Sequence, residues 1–443
     1  MSDQFNPKTA LVSWMHRIAD APQILVGYSG GLDSTVLLKC LSQVVDPARL
    51  CAVHINHGLS PHANRWQEMA AQFCTQIGVD FHAEKVQVNP RGQGWEAEAR
   101  AQRLAVFERL LISEGLLFLG HHGDDQAETV LYRLLRGSGP KGLSAMSACR
   151  PLGAGQLIRP LLGWSKAQLE TCGHQLNLQW VEDESNADNR FDRNFLRNRV
   201  IPQIAERWPD FQQSLQSSAQ LCSESEQLAE ALAIEDMAGL DLRAERAGHS
   251  IATDKFIALP VMRQRNVLRH WPQFNGMPMP AGKIIDEVLA SVLRAREDRE
   301  PQVIWQSLRW SKYRDRLYLL NAESLDIDRQ LLVWDLKQSL RLADSSSLSV
   351  EETTGAGLRA DIGAVEIRYR QGGERCKPSG RSRSNTLKKL LQEHGLEPWW
   401  RDRVPLLYID NILVAVADLW ICEGWCASAG QPGYIINWQV SLR

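Results

Sequence analysis

The sequence contains no C-x-x-C pair. Its nine cysteines (Cys40, Cys51, Cys74, Cys149, Cys172, Cys222, Cys376, Cys422 and Cys426) are scattered, Cys422 with Cys426 being the closest spacing. Zinc and iron–sulfur binding are therefore poorly supported, and buried free thiols are expected. No run approaches about twenty apolar residues, and the start of the chain lacks a basic segment followed by an apolar core. A membrane span and a secretory leader are thus not expected, and a cytoplasmic location is. Net charge is nearly absent too: 50 Lys and Arg stand against 52 Asp and Glu, a formal −2. Any pull on nucleic acid must come from a local patch. Internal repeats and low-complexity tracts are also missing. What is present is 44% hydrophobic and 23% charged residues over 443 positions, enough for well-filled cores in two or three domains.

Two common phosphate loops are missing as well. There is no Gly-Lys-Ser/Thr ending and no G-x-G-x-x-G spacing. In their place, the apolar run Gln23–Gly27 reads as a buried strand, breaks at Ser29-Gly30-Gly31, and gives way to a helical pattern at Val36, Leu37, Leu38 and Leu41. Strand, Gly-rich turn and helix start aim backbone N–H groups and a helix dipole at one small volume, which suits an anionic phosphate. Glycines allow close approach, and Ser29, Ser34 and Thr35 add hydroxyls. Asp33 sits inside this loop. A carboxylate beside phosphates repels them unless a cation intervenes, so bound Mg²⁺ is expected. Ser29-Gly30-Gly31-Leu32-Asp33-Ser34 resembles the pyrophosphate loop of the ATP pyrophosphatase superfamily, whose members cleave ATP between the α and β phosphates and adenylate an oxygen of the substrate. The loop alone leaves amidating, thiolating and ligating members open.

Further along, Leu50–Ile55, Val79–Val86 and Leu116–Leu119 read as strands, alternating with helical patterns over 8–20, Ala63–Ile77 and Glu96–Ile112. Such alternation predicts a parallel sheet with helices on both faces and ligands at the strands' carboxyl ends. Those ends are polar: His54-Ile55-Asn56-His57-Gly58-Leu59 after one strand, and Gly120–Thr129 (GHHGDDQAET) after another. Asp125 and Glu128, three apart, share a helix face and suit a cation, either a metal or the ammonium of a small substrate. Arg136–Leu143 reads as a helix stop. Glu182–Asn186 and Arg193–Arg199 mix both signs of charge. They suit a surface lattice or, beside a phosphate site, charge stabilisation by arginine.

Pro202–Pro209 reads as a boundary, Phe211–Ala238 as a long helix, Ala281–Arg296 as a helix and Val303–Trp305 as a strand. Asn321–Gly357, with its Ser345-Ser346-Ser347, reads as linker. Strands follow at Ile367–Arg370, Leu406–Ile409 and Ile412–Ala417, with a helix at Asn385–His394. Between Arg368 and Lys389 eight basic residues meet one acid, Glu374. This Arg/Ser/Gly-rich stretch, followed by Trp399-Trp400, favours phosphate-backbone binding over a merely solvated face. The fold class is therefore α/β: a parallel-sheet PP-loop domain of the adenine nucleotide α-hydrolase-like type over 1–209, a mostly helical middle domain over 210–345, and a small α+β basic domain over 346–443.

Assembled, these blocks resemble the tRNA(Ile)-lysidine synthetase family along nearly the whole chain. The likeness rests on Ser29–Ser34, His54–Leu59, Glu96–Arg100 (EAEAR), His121–Thr129, Arg136–Leu143 (RGSGPKGL), Arg159–Leu162, Glu182–Asn186, Arg193–Arg197 and the C-terminal GGERCKPSGRSRS segment; Gly123 within the HH-x-DD block is a small departure. The resemblance implies that ATP adenylates the wobble cytidine of a tRNA(Ile) with a CAU anticodon, and that the ε-amine of L-lysine displaces AMP. Deprotonating that amine at pH 7 costs about 4.6 kcal/mol, so a base or a desolvating pocket is required. Asp125 or His121 is the candidate base. Glu128, with Asp124, would receive the lysine, and Asp33 with Asp125 would hold Mg²⁺ against phosphates bound by Ser29, Gly30, Gly31, Leu32 and Ser34. Arg193 or Arg197 would neutralise developing charge, and Arg381, Arg383, Lys388 and Lys389 would grip the tRNA. The oligomeric state is open, with a homodimer as one option. A tRNA-thiolating enzyme and a non-catalytic tRNA-binding protein are the alternatives.

Overall fold

The structure, a computed structural model, describes residues 9–58, 60–87, 95–293, 301–321, 331–342 and 346–440. Leu59, Ser345, the end of the expected helix Ala281–Arg296 and part of Asn321–Gly357 lie outside these residues. The chain divides into two compact units, Met1–Gln227 and Leu228–Arg443.

The first unit is built on a six-stranded sheet: β1 (Ile24–Gly27), β2 (Leu50–Asn56), β3 (Asp80–Lys85), β4 (Leu116–Leu119), β5 (Cys149–Leu152) and β6 (Gly155–Ile158), in the order β3-β2-β1-β4-β6-β5. All neighbours are parallel except β5, which runs antiparallel to β6. The unbroken apolar runs of β1 and β4 are what a strand covered on both faces requires. Ile24 and Val26 pack against the helices Leu32–Leu41 and Ala63–Ile77. Leu25 points the other way, to Phe107, Leu111, Leu117 and Leu157. The expected leading helix is broken in two, Thr9–Val12 and Met15–Asp20. The β5–β6 hairpin was not foreseen: its strands are short, lie at one edge, and Pro151 interrupts the pattern.

The second unit begins with a layer of helices, Thr253–Ala258, Val261–His270 and Gly282–Glu287, the last continuing as the π-helical turn Val288–Val292. They share a core of Phe256, Trp271 and Trp310 with an antiparallel sheet, β7 (Arg243–Glu245), β8 (Gly248–Ala252), β9 (Gln302–Trp305), β10 (Leu308–Tyr313) and β11 (Arg316–Asn321). Of this sheet only β9 was legible. The tight turns flanking β10 place Gln306 at φ 53° and Arg314 at φ 51°, so the Gly or Asn that usually announces such a turn is missing.

Toward the C-terminus, Leu332–Trp334, Val365–Arg368, Leu406–Ile409, Ile412–Val416 and Trp420–Ile421 form a second antiparallel sheet, with the helix Leu387–His394 completing an α+β layer. The linker reading of Asn321–Gly357 is corrected here. Ser346–Thr354 is a nine-residue strand, paired along its whole length with Pro432–Val440. Its small polar residues carry little strand signal, because the bulk of that core comes from Ile436 and Trp438 on the distant partner.

Candidate active site

The carboxyl ends of β1, β2 and β4 bring three polar segments to one crevice. After β1 the chain turns through Gly30 at φ 84°, a conformation that favours glycine, and Gly31 caps the helix Leu32–Leu41. Ser34 Oγ donates to the Gly31 carbonyl at 3.0 Å and lies 3.1 Å from Ser29 Oγ, while Thr35 Oγ1 donates to the same carbonyl at 2.8 Å. Side chains thus tie the turn to itself, and the first-turn amides of the helix point into the crevice. Beyond β4, Gly120 lies so close to this helix start that a Cβ there would stand 3.0 Å from Asp33 C and Ser34 N. At the end of β2, the His54 ring contacts the Tyr28 carbonyl through Nδ1 at 3.0 Å, and Asn56 Oδ1 accepts from Gly58 N–H at 2.9 Å.

His122 is the centre of the acidic cluster. It caps the helix Gly123–Leu135: its Nδ1 lies 3.2 Å from the Asp124 amide nitrogen and 3.5 Å from Asp124 Oδ2, and the Asp125 carboxylate accepts from the His122 amide. Its Nε2 lies 3.6 Å from Asp33 Oδ2 and 3.5 Å from Asp125 Oδ2. Burial would lower its pKa, but Asp124, Asp125 and Asp33 outweigh burial and hold it up at about 9. Burial also raises Asp33, against the pull of His122. Asp124 behaves oppositely: burial is overcome by His122 and by the Lys166 amide, which donates to Oδ2 at 2.8 Å, and its carboxyl is held low.

His121 faces a different neighbourhood. Burial, with Arg159, Arg103 and Arg100 acting against Asp125, drives it down to about 3, so its ring is neutral. Arg159 Nε donates to its Nδ1 at 3.3 Å, which leaves the ring proton on Nε2. Arg159 itself is buried, gives Nη1 to the Ser147 carbonyl at 2.7 Å, and is lowered to about 10 by burial and by Arg150 and Arg100. The crevice therefore has an acidic side around His122 and a cationic side around His121.

Arg197, on the π-helical turn Leu196–Val200, reaches the acidic side. Its Nε and Nη2 donate to Glu128 at 2.5 and 2.9 Å, and Nη2 also meets Asp125 Oδ1 at 3.2 Å. Glu128 was expected to face a lysine ammonium and Arg197 a phosphate; in this structure they hold each other. Arg193 sits one turn earlier, its guanidinium 6.0 Å from the ring centroid of Tyr132. His122 as pivot and Arg159 as partner of His121 were missed as functional positions. The His122–Asp125 cap is a legible signal; the Arg159 contact, made across the sheet, is not.

The donor set fits Mg²⁺. Asp33 Oδ1 is buried without a hydrogen-bond partner, and Asp125 lies on the other side of His122 Nε2. Among the described residues no group of three or more side chains could hold a metal by itself; a Mg²⁺ held by these two carboxylates would need substrate phosphates for its remaining ligands. Of the expected tRNA contacts, all in the second unit, Arg381 donates to Glu393 at 2.5 Å and Lys389 lies 3.9 Å from the same carboxylate, while Arg383 and Lys388 are exposed.

A parallel sheet with this loop at its centre defines an ATP-using PP-loop enzyme, and the PP-loop domain family matches residues 4–204. The TilS substrate binding domain matches residues 252–318 and the TilS substrate C-terminal domain residues 365–438. The tRNA(Ile)-lysidine synthase of Coxiella burnetii is 37% identical over 445 residues, covering 99% of this chain and 97% of that protein. That of Serratia proteamaculans is 39% identical over 421 residues, covering 94% and 95%. The chain belongs to the tRNA(Ile)-lysidine synthase family. Among solved structures, a U34-tRNA thiolase of Methanococcus maripaludis aligns over 49% of this chain and 80% of that one at 16% identity and a TM-score of 0.37, a likeness too low to bear on chemistry.

Proposed function

We propose that this enzyme joins L-lysine to the wobble cytidine of the tRNA(Ile) with a CAU anticodon, forming lysidine with release of AMP and pyrophosphate. Family membership over nearly the full chain carries the reading, and the divided crevice supports it. The phosphates of ATP lie on the loop Ser29–Ser34 and the first-turn amides beyond it. Asp33 and Asp125 would hold Mg²⁺, which would supply charge screening between the phosphates and those carboxylates. The cytosine O2 attacks the α-phosphorus, and the bond to pyrophosphate breaks. The lysine ε-nitrogen then attacks C2, the C2–O2 bond breaks, and AMP leaves with that oxygen. The proton lost by the amine goes to Asp125. His121 does not suit this task, since burial among arginines holds it down at about 3.

Asp124 lines the acidic wall that favours a cationic amino acid, while Glu128, bound by Arg197, aims that guanidinium at the phosphates. Arg193, on the preceding turn, is the second cation available for adenylation. Residues 1–209 form the catalytic domain and the segment from 210 the middle domain; because Leu332–Trp334 pairs with Val365–Arg368, the basic domain that holds tRNA through Arg381, Arg383, Lys388 and Lys389 starts before the expected 346. The reaction belongs in the cytoplasm, where its RNA substrate is made.

The test is incubation with ATP, Mg²⁺, labelled lysine and total bacterial tRNA. Acid-precipitable label that needs ATP and vanishes in Asp33→Ala is the expected result. No label, with AMP release once a sulfur donor is added, would replace the reading with tRNA thiolation. Cys40, Cys74 and Cys172 lie in the core of the first unit, which speaks against that alternative. Sedimentation of the same preparation decides between monomer and homodimer.

A further inference from the structure

Next to the crevice lies an aromatic and basic surface of which only Arg193 has a part in the chemistry above. Asp125, Glu128, Tyr132 and Arg136 recur at three- and four-residue spacing along the helix Gly123–Leu135 and its cap, so they form one stripe. Arg136 Nη1 donates to Tyr132 Oη at 2.7 Å, and its guanidinium lies 5.2 Å from the ring centroid, with Arg193 over the same ring at 6.0 Å. Beside Arg193, Phe191 at the N-cap and Phe195 at the end of the short helix Asp192–Phe195 are 44% and 48% exposed. Their weight comes from lying beside the Arg136–Tyr132–Arg193 contacts, since single exposed apolar residues are ordinary. The two segments Tyr132–Leu143 and Asp188–Arg199 hold seven basic residues and two acids; with Arg190 paired to Asp188 and Arg197 to Glu128 and Asp125, five basic residues stand against one acid, Asp192.

We infer that Phe191, Phe195 and the Arg136–Tyr132–Arg193 stack form a platform for the unpaired nucleotides flanking the cytidine that enters the crevice. This rests on the reading of the enzyme as one that modifies an anticodon base. Alternating aromatic faces and guanidinium planes, in a net positive setting, are the chemistry of single-stranded RNA binding, where bases stack and phosphates meet arginine. Spacing agrees. Each four-residue step along the helix advances about 6 Å, close to two base steps of roughly 3.4 Å. A strand running along the helix from the crevice therefore meets Tyr132 and Arg136 with every second base. The platform reads the anticodon loop by stacking, while the crevice reads the cytidine by its edge.

The test measures binding of a fluorescent anticodon stem-loop to the full-length protein, apart from any ligation. Phe191→Ala/Phe195→Ala is expected to weaken binding roughly tenfold to a hundredfold, and Phe191→Trp/Phe195→Trp to restore it. An RNA with an abasic site next to the wobble cytidine should lose affinity for the wild type and lose little more for the alanine variant. Unchanged affinity in the alanine variant, or a full abasic penalty in it, overturns the platform whether or not lysine is ligated. Failure of lysine ligation in the wild type instead discards the reading of the reaction, and the binding result still decides the platform.

Discussion

Arg197 is fixed by two carboxylates, one of which, Glu128, has a side chain only 5% exposed. Removing the cation leaves that carboxylate buried and alone, which costs more than the pair contributes. Arg197→Ala is therefore expected to lower the unfolding free energy by about 3 kcal/mol in a urea titration, and Glu128→Gln/Arg197→Ala to lose less than Arg197→Ala alone. A double variant at least as unstable as the single would show that Glu128 finds another partner. At this scale the sequence was half legible. Asp33, Asp125 and Glu128 were picked out because acids at a strand's carboxyl end are a chemical signal, and Arg197 because arginines beside a phosphate site suit its charge. That Glu128 and Arg197 meet each other depends on a π-helical turn that no local pattern encodes. The contrast between His121 and His122 was also hidden, because adjacent identical residues differ only in what the fold packs around them.

Two elements carry their own predictions. The loop helix Leu32–Leu41 is seated against Gly120, where a methyl group would press on backbone rather than on a movable side chain. Gly120→Ala should lower ATP-dependent activity at least about tenfold through misplacement of the first-turn amides, measured as kcat/KM for ATP. Activity equal to the wild type would mean that the helix start moves without harm. In the second unit, Glu397 caps the short helix Pro398–Arg401 and accepts from Tyr318 Oη at 3.4 Å. Burial first, and then Glu245, raise its pKa above the ordinary carboxylate range, against Arg246 and Tyr318. A raised carboxyl gives stability that is full below its unfolded pKa and lost as pH climbs through the folded one. Glu397→Gln should therefore melt near the wild type at pH 4.5 and above it at pH 8; equal melting temperatures at pH 8 would remove Glu397 as the cause. Elements were legible where their period was strong, as in Ala63–Ile77, found with the bounds expected. They were not where a turn used Arg314 or Gln306 in place of glycine.

For the whole molecule, a net charge of −2 conceals a strongly uneven distribution. Part of the positive C-terminal stretch is matched internally: Arg381 by Glu393, Lys377 by Glu423 and Arg370 by Asp402. Each free cation that meets a phosphate adds about one to the salt dependence of binding. Arg383→Ala/Lys388→Ala should thus reduce the slope of log affinity for tRNA against log salt by about two, and Arg381→Ala by less, since Glu393 already shares its charge. Equal slopes for all three proteins would place the RNA elsewhere.

The nine-residue ladder between Ser346–Thr354 and Pro432–Val440 has a consequence for the cell's handling of the protein. Its halves are made far apart in time, and the first displays an unsatisfied backbone edge until the second arrives. A chain interrupted before residue 432 is not a shorter RNA-binding domain but an open template for aggregation.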